Sequence, residues 1–80
     1  MKLPRDLSGE ELARGLRKLG YQITRQSGSH IRLTATAPSE HHVTIPARDP
    51  MKVGTLSAVL AEVASHLGIS REELLRRLFG

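Results

Sequence analysis

A chain of 80 residues, 39% hydrophobic and 25% charged, has an ordinary globular composition and the length of one domain, residues 1–80. A domain this small buries only about 60% of the surface its unfolded chain exposes, which excludes a deep substrate cavity beside a separate regulatory domain. The absence of cysteine excludes disulfides, thiol catalysis and thiolate metal sites, while a net charge of +4 suits a polyanionic partner.

The position of the charge sharpens this. Residues 61–80 balance, with Glu62, Glu72 and Glu73 against Arg71, Arg76 and Arg77. The basic excess therefore lies in residues 1–60, on Lys2, Arg5, Arg14, Arg17, Lys18, Arg25, Arg32, Arg48 and Lys52. Tyr21 and Phe79 are the only aromatic residues, which argues against a binder that stacks base after base on aromatic rings. No apolar run resembles a signal peptide or a membrane span, so a soluble, cytoplasmic protein without a membrane partner is expected.

In chain order, Ser8-Gly9-Glu10-Glu11 is a capping box, followed by Leu12, Leu16 and Leu19 at helical spacing and by Gly20 as the stop. Gly15 lies on the apolar face, marking either a close backbone approach or a tolerated cost of about 1 kcal/mol. Residues 21–26, 30–37 and 43–45 alternate as strands. Their apolar positions are all odd-numbered, so both hairpin loops must hold an odd number of residues. Loops at 27–29 and 38–40 satisfy this, pairing Gln26 with His30, Ala37 with His41 and Leu33 with Ile45, and bringing His30 near Arg48. Thr55 is the expected N-cap of a helix with an apolar stripe from Leu56 to Leu67, ended by Gly68. Ser70 to Glu73 is a second capping box before a short helix carrying Leu74, Leu75 and Leu78. The order α-β-β-β-α-α, with helices on one face of a three-stranded antiparallel sheet, is α+β.

Few residues here suit chemistry. In this register His30 and His42 share the solvent face about 20 Å apart at about 3.3 Å per residue, too far for one metal. His41 points the other way, and His66 lies late in the second long helix, so no metal site is expected. No nucleophile motif, phosphate loop or dinucleotide fingerprint is present, and no small-molecule cofactor is implied. RNA cleavage tolerates such poverty, because the substrate's own 2′-OH is the nucleophile and the protein need only move protons and stabilise charge. His30 is the best placed residue for that, at a loop–strand junction after Gly28-Ser29 with Arg25, Arg32 and Arg48 near it. On position alone the plainer alternative is a surface histidine completing the turn. Lys52, before the second long helix, suits a phosphate at a helix N-terminus, or marks an ordinary helix start.

Several stretches carry a resemblance. They are residues 3–12, LPRDLSGEEL; Leu16-Arg17-Lys18-Leu19-Gly20-Tyr21; Arg25-Gln26-Ser27-Gly28-Ser29-His30; Val43-Thr44-Ile45-Pro46; Lys52-Val53-Gly54-Thr55-Leu56; and residues 68–74, GISREEL. In this order and spacing the chain resembles the HicA family of toxin–antitoxin systems. The resemblance implies a fold like the double-stranded RNA-binding domain and metal-independent cleavage of mRNA that arrests translation. It further implies a HicB antitoxin over the active surface, and the histidine of Gly28-Ser29-His30 as the catalytic residue. The residues then expected to hold RNA are Arg5, Arg25, Arg32, Arg48 and Lys52, with the amides of Gly28 and Ser29. A non-catalytic module gripping double-stranded RNA by shape is the alternative. Ile31 stands where many relatives have a second histidine, and Pro46-Ala47-Arg48 where they often read Pro-Arg-His. The segment from Leu60 to Leu67 is a few residues longer than usual, which bears on antitoxin docking.

Overall fold

The computed structural model describes residues 6–79. The elements are α1 (Gly9–Arg17), β1 (Gln22–Ser27), β2 (His30–Ala35), β3 (His41–Pro46), α2 (Val53–Leu67) and α3 (Arg71–Phe79). The strands form one antiparallel sheet in the order β1-β2-β3. α1 crosses all three strands, α2 lies against β3, and α3 packs on α1 and α2 rather than on the sheet. The architecture is the expected α+β arrangement, α-β-β-β-α like the double-stranded RNA-binding domain, with a short extra helix.

The first capping box is complete. The Glu11 N–H donates to Ser8 Oγ at 3.1 Å and the Ser8 N–H to Glu11 Oε1 at 3.0 Å, and these bonds hold the Glu11 carboxyl below its ordinary pKa. The second box forms by half. Ser70 Oγ accepts the Glu73 N–H at 3.1 Å, but the Glu73 carboxylate turns away to Arg76 and Arg77, at 2.9 and 3.1 Å. α2 begins three residues before the expected start, with Lys52 rather than Thr55 as N-cap. Met51 explains this. Its side chain is buried and its N–H donates to the Leu7 carbonyl at 2.8 Å, fixing the chain in place for the helix to start at once.

Leu12, Leu16, Ile31, Leu33, Ile45, Leu60 and Leu74 form the centre of the core between the helices and the inner sheet face. Gly15 is the close-approach glycine. A Cβ there would stand 3.0 Å from Leu78 Cδ2, so the Leu78 side chain of α3 packs directly over the bare backbone of α1. Tyr21 is buried too, with its hydroxyl 2.8 Å from His41 Nδ1. Burial, and then the charge of Glu62, push its phenol up to about 12. The folded state therefore holds this proton more tightly than the unfolded chain, whose tyrosine titrates at about 10. Stability from this group should be intact below pH about 10 and lost as pH rises towards about 12. A Tyr21→Phe protein should lose less stability over that window in urea titrations.

The register differs from expectation in both hairpins. β2 and β3 pair as Leu33 with Val43, Ile31 with Ile45 and His30 with Pro46. The connection is thus residues 36–40, still odd but two residues longer than 38–40. Pro38 accounts for this: it has no N–H for a ladder and restricts the residue before it, so pairing ends at Ala35. In the first hairpin the connection is Gly28-Ser29, and Ser27 pairs with His30 in place of Gln26. Core faces still match, because Thr24 is an extra residue in β1, a bulge between Ile23–Leu33 and Arg25–Arg32.

Candidate functional site

β2 alternates burial strictly, with Ile31, Leu33 and Ala35 inside and His30 and Arg32 outside, so the outer sheet face is polar and open. His30 opens β2 directly after the Gly28-Ser29 turn and is exposed. Nothing lies within 4 Å of a Cβ built on Gly28, so the turn before the exposed histidine is open. Ser29 Oγ is 3.0 Å from His30 Nδ1. The Ala47 N–H donates to the Ser29 carbonyl at 2.8 Å, tying the turn to the end of β3.

The bulge at Thr24 decides where Arg25 goes. A regular strand keeping the Ile23–Leu33 pair would send Arg25 inward with the odd-numbered core positions. With the extra residue, Arg25 pairs with Arg32 and stands on the outer face, one outward position from Ser27 and His30. Two guanidinium groups directly across a ladder repel each other. Among the described residues the ion pairs are His42–Glu40, Arg76–Glu73 and Arg77–Glu73, and neither Arg25 nor Arg32 is in one. The arrangement is costly in isolation and fits an anion, since each guanidinium offers a planar fork of donors to phosphate oxygens. An Arg25→Thr protein should unfold at slightly higher temperature, by up to about 1 kcal/mol of relieved repulsion.

Other expected site residues stand elsewhere. Because Pro46 faces His30, Arg48 lies beyond the ladder, contrary to the register that brought it beside the histidine. Its carbonyl accepts the Gly9 N–H at 2.8 Å, and it lines a shallow hollow with Ser8, Glu10, Ala47 and Asp49 on the α1 side. Lys52 is the N-cap residue of α2 and is exposed. Arg5 lies outside the described residues.

Two side-chain groups escaped the sequence reading. At the far end of the sheet His41 and His66 stack, with ring centroids 4.4 Å apart, over buried Tyr21. His66 Nε2 reaches the Ala37 carbonyl at 3.3 Å, so this cluster fastens the 36–40 loop to α2. On the outer face, Thr24 Oγ1 is 3.0 Å from Thr34 Oγ1, which is 2.8 Å from His42 Nδ1. His42 Nε2 is 3.0 Å from Glu40 Oε2. The corrected register puts His42 opposite Thr34, four strand positions from His30 rather than six, on the order of 13 Å. That is still too far for the two rings to share a metal ion. The strand alternation placed both Thr34 and His42 outside, but only the true loop length brings them together.

The family model described as HicA toxin of bacterial toxin-antitoxin matches residues 9–64. The chain belongs to the HicA toxin family. The match runs from the first residue of α1 nearly to the end of α2 and includes His30, Arg25 and Arg32. Membership of the HicA family gives the chain the role of toxin, with an antitoxin as its partner. α3 lies beyond the matched segment, although Leu74, Leu75 and Leu78 make it part of the core. No curated protein and no solved structure matches this HicA-family chain.

Proposed function

We propose that this toxin is a cytoplasmic, metal-independent endoribonuclease that cuts mRNA and so arrests translation, with His30 as its proton-transfer group. The observation that carries the reading is the juxtaposition, on one open face, of an exposed histidine and two arginines that pair with no carboxylate among the described residues. In the reaction the substrate's 2′-oxygen attacks phosphorus and the bond from phosphorus to the 5′-oxygen breaks. The 2′-OH proton goes to a base, and the leaving oxygen gains a proton from an acid. His30 suits either role. The Ser29 hydroxyl can accept from Nδ1–H in both, leaving Nε2 a base in the neutral ring and Nε2–H an acid in the imidazolium. Arg25 and Arg32 neutralise the phosphate as charge builds, and the amides of Gly28 and Ser29 offer further donors. A HicB-type antitoxin docked on this face would silence the enzyme by covering His30.

The test is to incubate purified protein with a long RNA in EDTA. Discrete fragments are the expected result. Saturable, salt-sensitive binding without cleavage would instead make the chain a binding module for double-stranded RNA. Arg25→Ala and Arg32→Ala should each weaken binding of single-stranded RNA and lower the slope of log affinity against log salt by about 0.7.

A further inference from the structure

The outer face has a second feature that the cleavage step does not use. Next to the Arg25–Arg32 pair, the chain of contacts from Thr24 through Thr34 to His42 and Glu40 holds one imidazole at both nitrogens. A carboxylate only accepts, so Glu40 fixes the proton on His42 Nε2. Thr34 occupies Nδ1. The ring edges are thus spent on the protein, yet the His42 side chain remains 40% exposed. What it offers to a partner is its flat face. Tyr21 is buried under α2 and Phe79 lies at the end of α3, so among the described residues the aromatic rings on this face are His30 and His42.

We infer that His42 is a stacking platform for one unpaired nucleobase of the RNA, held at a fixed distance along the strand from the phosphate at His30. This rests on the ribonuclease reading and deepens it, because it would set which nucleotide lies beside the cut. Three arguments support it. Unpaired bases in single-stranded RNA are recognised by stacking on flat side chains, histidine among them, with hydroxyl groups at their edges. A ring already oriented by two hydrogen bonds loses little freedom when a base settles on it. The charge also runs the right way: Arg25 and Arg32 at the His30 end draw phosphate, while Glu40 beyond His42 cancels positive charge where a neutral base is to sit. Thr44, the next outward position on β3, carries the hydroxyl placed to meet the base edge.

The experiment uses the cleavage-incompetent His30→Ala protein and a short fluorescent single-stranded RNA, read by anisotropy, with each base in turn replaced by an abasic site. In this protein one abasic position should cost about ten-fold in affinity. Adding His42→Ala should weaken the intact RNA by about ten-fold and make that abasic position silent. Adding His42→Phe, which keeps a flat face without the nitrogens, should retain affinity within about two-fold. The inference is overturned if His42→Ala binds as tightly as its parent, if no single base matters, or if His42→Phe is as weak as His42→Ala. Cleavage by the unsubstituted protein, measured beside it, separates the outcomes. Cutting that needs His30, with no stacked base at His42, sinks only this inference, whereas absence of RNA binding sinks both.

Discussion

Replacing His30 with alanine should lower the rate of RNA cleavage by about 10²–10⁴-fold, the span that a positioned proton-transfer group usually supplies. The protein should otherwise be unchanged. His30 is exposed, and among the described residues its one side-chain hydrogen bond is to the adjacent Ser29, so its removal falls among surface substitutions within about 0.5 kcal/mol. Affinity for RNA should also hold, because the guanidinium groups of Arg25 and Arg32 remain to engage phosphate. The diagnostic pattern is a fall in kcat with thermal unfolding and RNA affinity intact. His30→Gln is the sharper variant, since it keeps a polar side chain at the turn but cannot relay a proton at neutral pH, and it should be as inactive as alanine. Normal cleavage by either protein would remove His30 from the mechanism and leave the arginine pair as a binding site alone. Ser29→Ala should cost only a few-fold, since the hydroxyl orients the ring and takes no part in bond making.

Much of this site could be read in the sequence, and the misses have specific causes. His30 at a loop–strand junction on the polar face followed from alternation and the Gly28-Ser29 turn. Alternation cannot see a bulge, because a bulge is one extra residue inside a strand. Parity required an odd loop; Thr24 supplied the odd residue within β1 instead, and the turn itself shortened to two residues. The same residue put Arg25 on the outer face with His30, a placement that strict alternation denies. Parity held for the second hairpin but could not choose between three residues and five, and that ambiguity took Arg48 out of direct register with His30 and put His42 opposite Thr34. Thr55 has the chemistry of an N-cap, but Met51, buried and bonded to Leu7, started the helix sooner. Contacts far apart in sequence, such as His41 on His66, leave no local trace at all.

Gly9→Ala should be the most damaging small substitution in the fold. Gly9 is buried at the start of α1, where a helix interior would ordinarily gain about 1 kcal/mol from alanine. Here the added methyl would collide with the Pro46 carbonyl oxygen and come within 3.1 Å of the Pro46 carbonyl carbon and 3.2 Å of Ala47 Cα. All three are backbone atoms, so no side chain can swing aside. The end of β3 would have to move, and with it the Gly9 N–H bond to Arg48, 2.8 Å long in the native protein. Overpacking of about 1–3 kcal/mol and a lost hydrogen bond of about 1 kcal/mol outweigh the helical gain. The net loss of about 1–3 kcal/mol should lower Tm by roughly 5–20 °C in a domain this size. Activity should fall as well, even well below the new Tm, because Pro46 is the ladder partner of His30 and Ala47 anchors the turn before it. Gly54→Ala is the matched control. It also lies in the first turn of a helix, but nothing stands within 4 Å of its added Cβ, so it should be neutral or stabilising by up to about 1 kcal/mol. If both variants melt alike, the close contact between α1 and the end of β3 does not constrain the site, and the placement of His30 depends on its own hairpin alone.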